Sequence, residues 1–390
     1  MEMTNKENTL EINRLPSITW NWMKMNKDLL TMDFQVDSYT PDITVPEAAK
    51  SQADISKSID ELTSKPGFSV FCLECCESSY DKAATFIESR RNNFKDKICT
   101  AAGEGISEII EENSNPVIIT ANGKIQEPIV IEYNQEKDSK TTSSQIIHAF
   151  PDTECTIIYL FESNDQEESF SALRTQVYAE EGAKVHIVKV QLLGDQAHQI
   201  DDTSFICGDR AEAQFTQIEL GGCHVDSALN TMLSGYKSNF KSHVAYLCIN
   251  DQYLDMNHVV LHRGKKTDCN MQVDGTLRDK SQKIYKGTID FQNGCSGSTG
   301  NEMEETLLLT PTVINKSLPV ILCDEEDVEG EHGATLGRLS SDILFYLQTR
   351  GIDQKGAEKL MAKAKIKRAS ANIQDEEINN KISQFINDRI

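Results

Sequence analysis

The sequence predicts a mainly β protein: a parallel β-helix (solenoid) core, with an α-rich N-terminal region before it and a helical cap after it. Between about residues 116 and 328, short runs of β-branched residues alternate with turns rich in Gly, Asn and Asp. Runs that recur about every 10–18 residues leave a large sandwich, a barrel or a solenoid. The lack of a strict repeat and the aromatic content of 7% favour the solenoid, whose narrow core should be a stack of mainly aliphatic residues.

The N-terminal region, residues 1–112, carries two helical patterns on either side of one short strand. We expect the strand at 68–72, and Ser78 or Ser79 as the cap of the second helix. The polar first 45 residues predict little order apart from an anchor around Trp20 and Trp22. The apolar positions of the two helices are Ile55, Ile59 and Leu62, then Tyr80, Ala84 and Ile87.

The β-helix core is predicted over residues 113–335. Many of its runs alternate between apolar and polar residues, which is the pattern of a strand with one buried face. The runs lie at 117–120, 129–133, 156–161, 184–190, 213–218, 242–247, 257–262, 283–291 and 306–309.

The C-terminal region, residues 336–390, returns to helical periodicity and predicts three helices. Ser340 or Ser341 caps the first helix, which ends at Gly351 in the C′ position, and the second helix starts near Asp353. Their apolar faces must cover the end of the solenoid or a partner. These faces consist of Ile343, Leu344 and Leu347, then Ala357, Leu360, Met361 and Ala364, then Ile378, Ile382, Phe385 and Ile386.

The charge balance argues against two kinds of partner. Lys and Arg number 39 against 61 Asp and Glu, a formal net charge of −22, whereas nucleic acids and anionic membranes attract clustered cations. No run approaches the roughly 20 apolar residues of a membrane span. The first residues lack the pattern of a signal peptide, so we expect a cytoplasmic protein. Most of the eleven cysteines should then be buried thiols rather than a disulfide framework.

Catalytic motifs are missing from the sequence. It contains no phosphate-binding loop G-x-x-x-x-G-K-[ST], no H-E-x-x-H and no G-x-S-x-G. Gly103 and Gly105 lack a third glycine and follow no predicted strand, so they do not form a dinucleotide fingerprint. We therefore expect that the chain is not an enzyme.

Two weaker patterns leave alternatives open. Cys72, Cys75 and Cys76 contain a C-x-x-C, but no second pair stands at zinc-finger spacing, so packing is favoured over metal binding or redox chemistry. His258 and His262 would face one side of a strand about 13 Å apart, too far to share a metal. Hydrogen bonds, including some to a neighbouring coil, are favoured for both histidines.

The densest set of possible ligands lies where the solenoid meets the C-terminal helices, in residues 323–335. Cys323 offers a thiolate, Glu331 is one of several carboxylates, and His332 offers an imidazole. Iron accepts all three types of donor. The same stretch also fits a solvated acidic turn that leads into a helix, and spacing alone leaves both interpretations open.

The same segment resembles a known family. Residues 327–352, DVEGEHGATLGRLSSDILFYLQTRGI, are similar to the signature of the SufB/SufD family of iron–sulfur cluster assembly proteins, in which an HGAT element precedes LFYL-x-x-RGI. The resemblance extends upstream through 274–279, 285–289 and 306–309, and it covers about residues 115–365. It implies a parallel β-helix flanked by helices, and a scaffold that holds nascent clusters in the cytoplasm.

The resemblance also implies partners. Members of the family pair with themselves or with a paralogue through the β-helix, and a sulfur donor system supplies them. Their C-terminal helices dock a SufC-like ABC ATPase, which fits a chain that lacks a nucleotide motif of its own. Phe345, Tyr346 and Arg350 are therefore candidates for the ATPase contact or for packing beneath it.

On this resemblance His332 is the family histidine implicated in cluster handling, and Glu331 precedes it. With Cys323 as a possible further ligand, these residues are expected to hold iron in a transient iron–sulfur cluster. The chain departs from the SufB pattern at Gly333, and at Val313 and Thr231 or Met232, near the positions where SufB-type members carry cysteines.

Two functions remain open from the sequence. The first is a SufD-like or ancestral scaffold subunit that ligates the cluster, in a homodimer or beside a SufB-type paralogue. The second is a structural partner that positions the ATPase and contributes little to ligation. A β-helix polysaccharide lyase or hydrolase is disfavoured, because such enzymes are usually exported.

Overall fold

A computed structural model describes residues 8–17, 24–32, 35–164 and 168–390. The predicted anchor at Trp20 and Trp22 lies outside these described residues. The architecture is mainly β, as predicted: a parallel β-solenoid with short elements before it and three helices after it. Within the described ranges, no helix has both the length and the apolar character needed to cross a membrane.

Short elements precede the solenoid. The predicted strand at 68–72 is present one residue earlier, and it follows a single helical turn. In chain order the elements are β1 (Asn8–Ile12), β2 (Asp28–Met32), β3 (Asp37–Ser38), β4 (Asp42–Thr44), α1 (Glu61–Ser64), β5 (Gly67–Phe71), α2 (Glu77–Arg91) and α3 (Glu104–Glu112).

The two predicted N-terminal helices differ in part from the structure. The first is wrong over residues 55–60, which form turns. The Asp54 carboxylate accepts hydrogen bonds from both the backbone N–H and the hydroxyl of Ser56, and such a local turn competes with helix formation. The second helix is present as α2, but Cys76 occupies its N-cap instead of Ser78 or Ser79.

The solenoid consists of eight coils, and each coil adds one strand to each of two sheets. Every predicted run falls on one of these strands. The first sheet contains β6 (Val117–Asn122), β8 (Lys140–Ala149), β10 (Ser169–Ala179), β12 (Ala197–Cys207), β14 (His224–Leu233), β16 (Tyr253–His262), β18 (Gln282–Phe291) and β20 (Ile314–Cys323). The second sheet contains β7 (Ile129–Gln135), β9 (Glu154–Ser163), β11 (Lys184–Leu192), β13 (Glu212–Glu219), β15 (Asn239–Cys248), β17 (Asp268–Leu277), β19 (Ser298–Leu308) and β21 (Val328–Gly337).

The lumen between the two sheets is less uniformly aliphatic than the sequence predicts. Lys189 and Lys283 are completely buried there, and each is paired with an acidic side chain, Asp201 and Glu304 respectively. Such pairing is needed because an isolated buried ammonium would be very costly. Fully buried rings also occupy the lumen: Tyr159, Tyr246, Tyr285, Phe161, Phe205, Phe215, Phe240 and Phe291.

The N-terminal segment covers one flank and one end of the solenoid. The antiparallel hairpin of β1 and β2, together with α3, packs on the outer face of the first sheet, where Ile12 and Ile106 contact a cluster that includes Ile200. At the beginning of the solenoid, β5 extends the first sheet beside β6, and β4 extends the second sheet beside β7. This end is therefore closed by added strands.

Three helices follow the solenoid: α4 (Ser341–Thr349), α5 (Gln354–Ser370) and α6 (Glu376–Arg389). The cap and the end of α4 match the prediction, since Ser340 Oγ accepts the N–H of Ile343 at 3.2 Å and Gly351 has a positive φ of 83°. The predicted second helix begins after Asp353, whose carboxylate accepts the N–H of Gly356 at 2.8 Å.

The prediction that the apolar faces of this region cover either the end of the solenoid or a partner is wrong for α5 and α6. Both helices lie on the outer face of the second sheet, because the outward side chains of β11, β13 and β15 are apolar there, as at Val188, Ile218 and Leu247. The buried face of α5 also differs from the prediction. Ala357 is buried as expected, but Leu360 and Ala364 are exposed and Met361 is half-buried, whereas Ala362, Ile366 and Ala369 pack against the sheet.

Candidate functional site

The far end of the solenoid is open. The last two strands, β20 and β21, stand at the ends of their sheets, and each has one neighbouring strand within the described part of the chain. An uncovered edge of this kind presents backbone N–H and C=O groups that a further strand can pair with. The predicted ligands lie on these two strands.

His332 and Glu331 point to opposite sides of β21. His332 is aligned with the buried Glu302 of β19 and so faces the lumen, yet it is exposed because it belongs to the last coil. Glu331 is aligned with Asn301 and faces outward. Successive side chains of a strand alternate in this way, so neighbours in sequence do not converge.

Cys323 lies on the opposite wall of the lumen, at the end of β20. It is aligned with Phe291, its side chain is exposed, and its Sγ lies 3.1 Å from the backbone oxygen of Glu325. Among the described residues, the only group of three His, Cys, Asp or Glu whose ligand atoms lie within 4.8 Å of one another is elsewhere. Cys323, Glu331 and His332 thus share the open end without forming one ligand set in a single chain.

A buried carboxyl lies beneath His332, and the sequence analysis did not identify it. Burial, together with the nearby Glu304 carboxylate, raises the pKa of Glu302 to about 7 against the opposing hydrogen bond of Tyr285. Its position depends on Gly287, where a Cβ would overlap the Glu302 carboxyl. In the sequence, the signal for this buried carboxyl is the alternating spacing of Glu302 and Glu304 in a run that continues into apolar residues.

The helix that follows the open end presents its aromatic side chains to solvent. Phe345 is 68% exposed and Tyr346 is 57% exposed, and no residue of α4 is buried. The guanidinium of Arg350 lies over the ring of Tyr346, 5.4 Å from its centroid. In a single chain these three residues therefore do not pack into a core, so the surface they form is free for a partner.

Of the other singled-out residues, the cysteines and His262 have local polar partners, whereas both ring nitrogens of the buried His258 have no hydrogen-bond partner within the described part of the chain. Contrary to the expectation of free thiols, Cys72 and Cys75 form a disulfide, because the turn after β5 brings their Cα atoms within 5.4 Å. Hydrogen bonds with Ser79 and Ser78 lower the pKa of the exposed Cys76 to about 7. The hydrogen bonds predicted for both histidines are therefore present only for His262, whose Nδ1 lies 2.7 Å from Thr267 Oγ1 in the turn of its own coil.

Comparison with known proteins agrees with the fold and with the motif at the open end. The family model described as SUF system FeS cluster assembly, SufBD core domain, matches residues 132–365, which include the predicted ligands and α4. The chain is 25% identical over 190 residues to the iron–sulfur cluster assembly SufBD family protein ABCI8, chloroplastic, of Arabidopsis thaliana, covering 47% of this chain and 34% of that protein.

Two bacterial proteins are also similar. The chain is 23% identical over 239 residues to the iron–sulfur cluster assembly protein SufD of Escherichia coli strain K12, which covers 61% of this chain and 56% of that protein. It is 29% identical over 102 residues to SufD of Bacillus subtilis strain 168, which covers 26% of this chain and 23% of that protein. The chain thus spans between about a quarter and just over half of the length of these relatives.

Proposed function

The chain belongs to the SufBD family of SUF iron–sulfur cluster assembly proteins, and from this premise we propose that it is a scaffold subunit that builds and transfers nascent clusters with a SufC-like ABC ATPase in the cytoplasm. The open end of the solenoid is the observation that carries the proposal. There, the two uncovered edge strands β20 and β21 carry the exposed Cys323 and His332. The cluster is cargo in this proposal, not a resident cofactor.

Dimerisation through the open end would complete the ligand set. A second copy of this chain, or a SufB-type paralogue, pairs its own edge strands with β20 and β21, as strand addition commonly does. The thiolate of Cys323 and the imidazole of His332 then meet the corresponding groups of the partner across the joined lumens. Because these side chains are exposed in one chain, the pairing needs no unfolding to reach them.

The ATPase is proposed to dock on α4. The helix exposes Phe345 and Tyr346, and aromatic side chains of this kind are enriched at the centres of protein interfaces. Arg350 adds a charged group beside them. The sequence has no phosphate-binding loop, so we assign ATP hydrolysis to the partner and propose that this chain is not an enzyme.

The short distance along the chain between α4 and β21 suits mechanical coupling. Only residues 338–340 separate the end of β21 from the start of α4. When two ATPase subunits close on ATP, they pull the α4 helices of two scaffold subunits, and the connected β21 strands shift at their interface. Such a shift changes the access of iron and sulfide, supplied by a sulfur donor system, to His332 and Cys323.

Anaerobic reconstitution tests the ligand role. The chain, co-purified with its ATPase, is incubated with ferrous iron and sulfide, and the thiolate-to-iron absorbance and the iron content are measured. We expect His332→Ala and Cys323→Ser to weaken the absorbance, because each removes a ligand. The matched control is His198→Ala, which removes an exposed histidine from a middle coil and should leave the absorbance unchanged.

One observation favours the second function, a structural partner that positions the ATPase without ligating the cluster. Glu331 faces away from His332, and the three predicted ligands do not converge within one chain. On this function the His332→Ala and Cys323→Ser variants assemble clusters as the wild type does, while the ATPase still co-purifies. That result would replace the ligand role with the structural one.

A further inference from the structure

The outer face of the first sheet carries a compact group of ionisable side chains away from the open end. His224 and Asp226 lie two residues apart on β14, so both face outward under the β1–β2 hairpin. Asp28, the first residue of β2, reaches down from that hairpin. The ring Nε2 of His224 lies 3.0 Å from Asp28 Oδ2 and 3.3 Å from Asp226 Oδ2.

This group contains more hydrogen-bond acceptors than donors. One ring nitrogen carries at most one hydrogen, yet two carboxylate oxygens converge on it. Within the described part of the chain, the second oxygen of Asp226, Oδ1, is buried without a hydrogen-bond partner, and the residue as a whole is only 2% exposed. A buried carboxylate oxygen with no donor is unusual and points to a ligand that accepts its lone pairs.

The charges around the group leave an excess of negative charge. The next strand adds Asp255, whose carboxylate binds Lys286 Nζ at 2.6 Å and also accepts the Asn13 amide at 2.9 Å. When a metal ion displaces the ring proton of His224, the three ionised carboxylates and the one ammonium together carry a net charge of −2. The two carboxylates on either side of the ring create a strongly negative local field. The same field attracts any small cation.

We propose that Asp28, His224 and Asp226 bind a divalent first-row transition-metal ion. One imidazole and two carboxylates are a donor set that such ions accept, and the −2 charge matches a divalent cation. Asp28 and His224 are partly exposed, so an ion can enter and can keep further ligands of its own. The site lies on the flank of the solenoid, and it does not rest on the proposed role in cluster assembly.

The ion would fasten the N-terminal hairpin to the solenoid. Asp28 is separated from His224 by almost two hundred residues of sequence, so coordination by both joins distant parts of the chain. The hairpin has a second attachment nearby, through Asn13 and Asp255. Metal binding should therefore protect the hairpin backbone against local opening, because an ion that binds only the closed form stabilises it.

Binding of Mn²⁺ to the metal-free full-length chain tests the proposal. Mn²⁺ is the probe because it prefers oxygen and nitrogen donors, whereas zinc would also bind the thiolates of the eleven cysteines. The loss of the free Mn²⁺ signal in electron paramagnetic resonance gives the stoichiometry and affinity. We expect one ion per chain, at least about tenfold weaker binding in Asp226→Asn and His224→Gln, and slower hydrogen exchange in residues 8–12 and 28–32 when Mn²⁺ is present.

The matched control is His198→Gln, because His198 is aligned with His224 on the adjacent strand and stacks 5.9 Å from it without joining the carboxylates. This variant should bind Mn²⁺ as the wild type does. If Asp226→Asn fails to fold, Asp28→Asn tests the site instead, because it changes only the ligand on the hairpin. It should also weaken Mn²⁺ binding. Failure of the wild type to bind Mn²⁺, or binding that none of the ligand variants weakens, would overturn the site and leave an imidazolium held between two carboxylates.

Discussion

Arg368 of α5 binds the carboxylate of Asp274 on β17 with two nitrogens, Nε at 2.8 Å from Oδ2 and a terminal nitrogen on Oδ1. His243 Nε2 contacts the same carboxylate at 2.8 Å. Asp274 is buried beneath the helix, so this contact fixes the position of α5 on the second sheet. The attachment of the C-terminal helices to the solenoid is therefore partly electrostatic, in addition to the apolar cluster between them.

The first prediction concerns the pH dependence of this attachment. Burial alone would raise the pKa of Asp274, but the hydrogen bonds of His243 and Arg368 outweigh it and lower the pKa below 3.8. A lowered folded pKa stabilises the protein above about pH 3.8, and the stabilisation is lost as the pH falls through the folded value. Asp274→Asn should thus cost roughly 2 kcal/mol of unfolding free energy at neutral pH and progressively less under acid.

Urea denaturation at a series of pH values measures this difference. The exposed Asp251 on a turn provides the control, since Asp251→Asn should change the stability little at any pH. A loss for Asp274→Asn that has the same size at pH 3 and pH 7 would contradict the electrostatic account.

The second prediction concerns the buried ion pair of the lumen. Lys283 and Glu304 are almost completely buried and paired with each other. Lys283→Met should destabilise the protein by about 3–5 kcal/mol, because it leaves the Glu304 carboxylate buried without its cation. Adding Glu304→Gln to the same chain should restore at least half of that loss, since the buried charge is then gone.

The control for this pair lies on the surface. Lys184 and Glu212 are about half exposed and 2.9 Å apart, so Lys184→Met should cost less than about 1 kcal/mol in the same urea experiment. If Glu304→Gln deepens the loss caused by Lys283→Met, the two residues do not act as a pair.

The third prediction tests the open end as a dimer interface. Leu336 on β21 is 52% exposed and is aligned with the buried Thr306, so it lies at the mouth of the lumen. Leu336→Glu should weaken dimerisation at least about tenfold, because a carboxylate would be buried without a partner. Sedimentation velocity measures the change.

Leu29 offers the matched control, because it is 54% exposed on β2 and lies far along the chain from the open end. Leu29→Glu should leave the dimer intact. Equal dimer stability in the Leu336→Glu variant and the wild type would mean that the subunits meet through a different surface.

The second-sheet strands were easier to predict from sequence than the first-sheet strands. Outward residues of β11 pack against the C-terminal helices, so this strand is rich in Val and Ile. In contrast β12, Ala197–Cys207, is buried on both faces but contains Gln, Asp, Thr and Ser. Its Asp201 and Asp202 form ion pairs with Lys189 and Arg174, which lie on other strands. A single stretch of sequence does not contain those partners, so β12 resembles a polar loop.

The candidate site could be located by its motif, but its geometry could not be predicted. The signature around His332 lies on the last coil of the solenoid, as its position directly before the helical region indicates. The direction of each side chain depends on strand alternation in β21, and this separates Glu331 from His332. The metal group at His224 was missed for a related reason, since Asp28 joins it only through the packing of the hairpin.

The fourth prediction distinguishes a docking surface from a packing surface on α4. Phe345→Ala and Tyr346→Ala should each weaken binding of the ATPase at least about tenfold, because exposed aromatic side chains often contribute most to an interface. The same variants should change the free energy of unfolding by less than about 0.5 kcal/mol, since neither ring is buried in the free chain. Titration calorimetry with the purified ATPase measures the affinity.

The control for α4 is Tyr236→Ala, which removes an exposed tyrosine from the turn between β14 and β15 and should leave the affinity unchanged. Arg350→Ala should weaken ATPase binding more than Tyr236→Ala but less than the two aromatic variants, because the guanidinium stacks on Tyr346 and holds that ring in place. Full affinity in both aromatic variants would exclude α4 as the docking helix. A large loss of stability without loss of affinity would instead assign Phe345 and Tyr346 to packing, the alternative that the sequence left open.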